Sequence, residues 1–217
     1  MSDQKNLPAF YFTILQDGAF EIEIKKSRFL CHLKRVSTEH MARNFIAEIK
    51  KEHFKARHNC SVFIVGNNGE VKRSNDDGEP SGTAGIPMLE VLKSQQLINV
   101  CAVVTRYFGG IKLGASGLIR AYTQSVAETL QKVRIVKKVL QQEIHLKTAY
   151  ALNGKLQYFF TLHPEYVVKE TLFMEQVKVV VFVSKELVDF FQEEVINLLN
   201  AQVSFALGKF TYNEVLI

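Results

Sequence analysis

The sequence is poor in cysteine: Cys31, Cys60 and Cys101 are the only three in 217 residues. They stand far apart and in odd number, which argues against a secreted disulfide framework. Each has apolar neighbours, in "FLCHL", "NCSVFIV" and "NVCAVV", so each reads as a small buried hydrophobe in a strand. Long apolar runs are lacking too, and none approaches the roughly 20 residues needed to cross a bilayer. The opening "MSDQKNLPAF" is polar and has no apolar core of signal-peptide length. A cytoplasmic protein with no membrane partner is expected. Arginine is missing from one end of the chain, since all eight lie at or before Arg134. Residues 138–217 carry seven lysines against nine acidic residues, net −2, whereas residues 1–137 carry 20 basic and 13 acidic residues, net +7. Arginine is the side chain best suited to bidentate phosphate contact. A surface for a polyanion is therefore expected on the first half.

With 47% hydrophobic and 23% charged residues, the chain is ordinary globular protein. A chain of this length buries roughly 70% of its unfolded surface, so no metal or disulfide staple is needed for folding. "AFEIEIKKSRFLCHLKRV" alternates in two runs around Lys-Lys-Ser and predicts a hairpin. "STEHMARNFIAEIKKEHF" predicts a helix capped by Ser37 or Thr38. "CSVFIVGNNGEVKRS" predicts a buried strand, a turn and a returning strand. "PMLEVLKSQQ" predicts a helix with Pro87 at its first position. "INVCAVVTRYF" predicts a central strand, and "LIRAYTQSVAETLQKV" a helix after a glycine-rich loop. The remainder reads β-α-β-β-α-β, the ferredoxin-like order. The expected architecture is α+β in two domains, residues 1–136 and 137–217, divided near "RIVKKV". No internal repeat is visible.

The chemistry concentrates in two loops. "SNDDGEPSGTAGIP", residues 74–87, holds three acids, three glycines and two prolines, and "GGIKLGASG" follows the central strand. Asp76, Asp77 and Glu79 are oxygen ligands of the kind hard cations take, but EF-hand spacing is absent. Their plainer use is to cap turns and helix starts. Both glycine loops precede helices, where free backbone N–H groups favour anions, with Arg106, Lys112 and Arg120 as charged supplements. Neither a P-loop nor Gly-x-Gly-x-x-Gly is present. Ser81, Thr83 and Ser116 are candidate nucleophiles with His58 and Cys60 nearby in sequence, yet Gly-x-Ser-x-Gly is absent.

Three segments in order, "RHNCSVFIVG", "SNDDGEPSGTAGIPMLEVL" and "VVTRYFGGIKLGASGLIRAY", give a specific match. They resemble the signature of the IMPACT family, in its bacterial YigZ-like branch, over roughly residues 19–130. Two positions depart from it: Ile86 stands where members often carry a basic residue, and Ser116 where many have glycine. The resemblance implies an N-terminal domain like the second domain of a small-subunit ribosomal protein, a fold shared with a domain of elongation factor G and with some small-molecule kinases. It implies a C-terminal domain like the ferredoxin-like last domain of elongation factor G. It also implies a link to translational control, since eukaryotic relatives act through a regulator of an initiation-factor kinase.

The leading expectation is a non-enzymatic regulator that binds RNA, the ribosome or a ribosome-associated protein through the basic first domain. Arg57, Arg73, Arg106, Lys112 and Arg120 would meet phosphate, with His58, Asp76, Asp77, Glu79, Ser81 and Thr83 shaping the surface. No cofactor, metal ligand or catalytic residue is expected. Two alternatives stand beside it. One is an enzyme or small-ligand binder with a phosphate and magnesium site between the glycine loops. The other is a pure protein-interaction module.

Overall fold

A computed structural model describes residues 7–216 of the chain. It divides into two compact units. One is Tyr11–Lys137; the other is Lys138–Glu214 with the described residues up to Phe10.

The first unit is built on an antiparallel five-stranded sheet in the order β2-β3-β6-β4-β5. Its strands are β2 (Gly18–Ile24), β3 (Ser27–Arg35), β4 (His58–Val65), β5 (Val71–Asn75) and β6 (Val100–Tyr107). Three helices cover it: α1 (Glu39–Glu52), α2 (Gly85–Ser94) and α3 (Ala115–Val133). The central strand β6 is buried along nearly all its length because both faces are covered. Val100, Ala102 and Val104 pack with Phe29, Cys31 and Leu33 of β3 under α2 and α3, in a core that includes Met88, Leu92, Leu118 and Tyr122. Cys101 and Val103 point the other way, onto Ala42, Phe45 and Ile49 of α1. The period-2 alternation of a strand thus feeds two separate apolar clusters.

Local signals account for most element ends. Thr38 caps α1, its Oγ1 accepting the Met41 N–H at 3.2 Å. The β2–β3 turn is closed by Lys25 and Lys26, both with positive φ. Helix α2 begins at Gly85, not Pro87, which moves Pro87 to the third helical position. The reason is a remote cap described below.

In the second unit, β7 (Ile135–Thr148), α4 (Tyr150–Leu162), β8 (Val167–Phe173), β9 (Val177–Ser184), α5 (Val188–Leu198) and β10 (Val203–Leu216) follow in chain order. The sheet runs β7-β9-β8, with β10 on the far side of β7. This is the split βαβ arrangement of a ferredoxin-like domain. Strand β1 (Phe10–Ile14), which the sequence reading did not predict, lies almost wholly in the first unit, where Ile14 joins the core beside Leu97 and Val100. Val177, Val179, Val181 and Val183 of β9 meet Phe159 and Phe160 of α4 and Phe191 and Val195 of α5.

Candidate functional site

The three acids of the first glycine loop reach three different elements. The Asp76 carboxylate accepts the backbone N–H groups of Gly82 at 2.8 Å, Ala84 at 3.0 Å and Gly85 at 2.7 Å. Ala84 has no side-chain oxygen to cap α2, so Asp76 supplies one from outside the helix and the helix starts early. Burial pushes the Asp76 pKa up, and the three N–H groups outweigh it, leaving the carboxyl below its ordinary value. Asp77, at φ 44°, takes Lys50 of α1 on Oδ1 at 2.5 Å and the Asn59 N–H on Oδ2 at 2.7 Å. Its backbone carbonyl lies 2.9 Å from His58 Nδ1. Glu79 turns inward, and its Oε1 accepts from Arg106 Nη1 at 2.7 Å and from the Tyr122 hydroxyl at 2.9 Å. The three carboxylates therefore do not form an oxygen cage for a hard cation. They brace the loop against α2, α1 and α3.

Arg106 is the hinge of the arrangement. Its side chain is 8% exposed and that of Glu79 3%, so the pair is buried. The guanidinium lies 5.4 Å from the Phe29 ring centre and 5.6 Å from that of Phe108. Arg106 Nε is buried without a hydrogen-bond partner. Cys60 completes the network, its Sγ 2.9 Å from the Asp76 carbonyl oxygen and 3.3 Å from Tyr122 Oη. Burial pushes the Cys60 thiol up to about 12, so it is no nucleophile at neutral pH.

The second loop is held just as closely. A Cβ on Gly109 would stand 2.0 Å from the Lys26 carbonyl, and the Gly109 N–H donates to Ser27 Oγ at 3.2 Å. Only glycine allows this approach to the β2–β3 turn. Gly114, at φ 73°, precedes α3 and offers no side-chain cap, so the first N–H groups of that helix keep their free ends.

The two loops meet. A cavity of about 380 Å³ is lined by Arg57, His58, Glu79 and Pro80 on one side, and by Arg106, Phe108, Lys112 and Gly114 on the other. Arg57 and Lys112 are exposed, as is Phe108 at 51%. Of the eleven residues singled out from the sequence, five line this pocket: Arg57, His58, Glu79, Arg106 and Lys112. Asp76 and Asp77 support it from behind. Thr83 is buried, its hydroxyl donating to the Pro80 carbonyl at 2.6 Å inside the loop, and Ser81 is exposed. Arg73 lies on β5 in a separate cleft of about 400 Å³ with Arg43 and Lys50. Arg120 is exposed on α3 and is not among the residues lining the pocket. Phe108, which lines the pocket, and Tyr122, which holds Glu79, are not among the residues the sequence points to. Tyr122 carried a readable signal, because a tyrosine on the apolar face of a helix needs a partner for its hydroxyl.

The Impact N-terminal domain profile matches residues 25–130, which contain both loops and the pocket. A second profile, a domain of unknown function (DUF1949), matches residues 146–202 of the other unit. IMPACT family member YvyE of Bacillus subtilis is 47% identical over 204 residues, 94% of each chain. IMPACT family member YigZ of Escherichia coli is 36% identical over 66% of this chain and 69% of its own. A crystal structure of a hypothetical protein superposes with a TM-score of 0.60 at 27% identity, covering 94% of this chain and 99% of the other. The match runs through both units, and this chain belongs to the IMPACT family.

Proposed function

We propose that this protein is a non-enzymatic, translation-related regulator that binds RNA through the pocket between its two glycine loops. One observation carries the reading: Arg57, Lys112, the uncapped start of α3 and an exposed Phe108 surround a single cavity. Cations and helix N–H groups are what a phosphate needs. An exposed aromatic ring beside them is what an unpaired base stacks on. Arg106 itself is held by Glu79 and sets the floor of the pocket, so the free charges that meet phosphate are Arg57 and Lys112. Arg73, in its separate cleft against α1, and Arg120, on α3, lie outside the pocket. The net +7 of residues 1–137 favours the same partner class.

The test is an anisotropy titration of the full chain with short single-stranded RNA at low salt. Saturable binding that weakens as salt rises is expected, and no binding at low salt overturns the reading. A pull-down from lysate, with and without nuclease, separates RNA from a ribosome-associated protein as the direct partner. A second reading rests on the pocket's size, since about 380 Å³ falls within the range of small-ligand sites. There the ligand is a phosphorylated small molecule. A thermal-shift screen with nucleotides discriminates, because a ligand at 100 times its Kd stabilises by about 2.7 kcal/mol.

A further inference from the structure

On the α1 face of the first sheet, away from the pocket, the chain brings together His32, Glu52 and His53. One ligand-type atom from each lies within 4.8 Å of the others. His32 is on β3, paired in register with Val103 of β6, whose side chain packs against α1. His53 is the C-terminal cap residue of α1, and its backbone N–H donates to the Ile49 carbonyl. The two rings lie 5.2 Å apart at 43°. Glu52 Oε1 lies 3.7 Å from His53 Nε2.

Two features set this trio apart from an ordinary polar cluster. Among the described residues, only four buried side-chain polar atoms lack a hydrogen-bond partner, and two of them are His32 Nδ1 and His53 Nε2. Buried ring nitrogens ordinarily find partners, and two orphans in adjoining rings mark a missing common one. The other nitrogen of His53 is already engaged, because Nδ1 lies 3.0 Å from the Tyr107 hydroxyl. With a proton on Nδ1 donated to that oxygen, the lone pair sits on Nε2, the atom without a partner. An outer hydrogen bond of this kind is how metal-binding histidines are oriented.

We propose that His32, Glu52 and His53 form a site for a divalent transition-metal ion, with Zn²⁺ as its fitting occupant. Two imidazoles and one carboxylate suit zinc, whereas calcium and magnesium take oxygen sets. Bonds of about 2.0–2.1 Å to a tetrahedral ion put ligand atoms roughly 3.3 Å apart. The His53–Glu52 pair is near that already, and the Glu52 side chain, 65% exposed, is free to turn the remaining way. Its exposure also leaves the fourth coordination position to water. Burial first, and the neighbouring His53 second, hold the His32 pKa below its usual value, with Glu52 opposing. An ion there ties the end of α1 to β3 and to the strand that leads into the second glycine loop.

The test uses the untagged full chain stripped with a chelator. Titration with Co²⁺ should give the visible bands of a four-coordinate ion at one equivalent per chain, and Zn²⁺ should displace them. Zn²⁺ alone should raise the Tm, and Mg²⁺ should not. Glu52→Gln and His32→Gln should each weaken Zn²⁺ binding at least about 10-fold, and Tyr107→Phe should weaken it about 10- to 100-fold through the lost orienting bond. Glu52 is at the surface, so its variant tests the site even if a histidine variant does not fold. No saturable Zn²⁺ uptake, or uptake unchanged in Glu52→Gln, overturns the proposal.

Discussion

Glu79 and Arg106 form the pair on which the pocket floor rests. Both are buried, and the carboxylate also holds the Tyr122 hydroxyl. Removing one partner of such a pair leaves a charge in an apolar site, which costs about 3–5 kcal/mol. Urea unfolding of Glu79→Ala should show a loss in that range. The double variant Glu79→Leu with Arg106→Met should recover most of it, because paired apolar replacements remove the stranded charge. Asp76 gives a pH signature. Its folded pKa lies below the ordinary value, so its contribution to stability is fully present above the unfolded value of about 3.9. That contribution is lost as pH falls through the folded pKa. The stability gap between the wild type and Asp76→Asn should be widest near neutrality and should close in that acid range. A gap independent of pH would show that charge plays no part in the cap.

Among the elements, the second glycine loop is the most constrained piece. Gly109 lies against the Lys26 carbonyl so closely that any side chain must push the loop or the β2–β3 turn away. Gly109→Ala should destabilise by about 1–3 kcal/mol, the usual cost of overpacking, measured as a shift of the denaturation midpoint. The same displacement should weaken ligand binding at the pocket. Most elements were legible in the sequence because their causes are local. The hairpin at residues 18–35, the Thr38 cap and the buried run of β6 each follow from spacing or cap chemistry. Three things were not. Strand β1 is only five residues long, too short to show a period, and its role is set by remote partners: Ile14 enters the first unit's core and the Phe12 carbonyl accepts the Ile98 N–H. The start of α2 depends on Asp76, 9 positions before Gly85, which no local cap rule reaches. The coming together of His32 and His53 depends on packing β3 against the end of α1, which residue spacing does not encode.

At the scale of the whole molecule, charge and topology agree. All arginines lie in the half that carries both glycine loops, and the ferredoxin-like half has net −2 over residues 138–217. The candidate residues were legible one by one, as residue types suited to phosphate. Their sorting was not, since five line one pocket while Arg73 on β5 and Arg120 on α3 lie elsewhere, and that division is set by how the sheet and its helices are packed. The central claim is that Arg57 and Lys112 meet RNA phosphates at this pocket. It is tested most directly by the salt dependence of single-stranded RNA affinity in the wild type and in Arg57→Ala/Lys112→Ala. Each phosphate contact with a single strand contributes a slope of about −0.7 in log K against log salt. The wild type should bind with a linear negative slope, and the double variant should bind more weakly with a slope shallower by about 1.4. Equal affinity and equal slope in the two proteins would contradict the account.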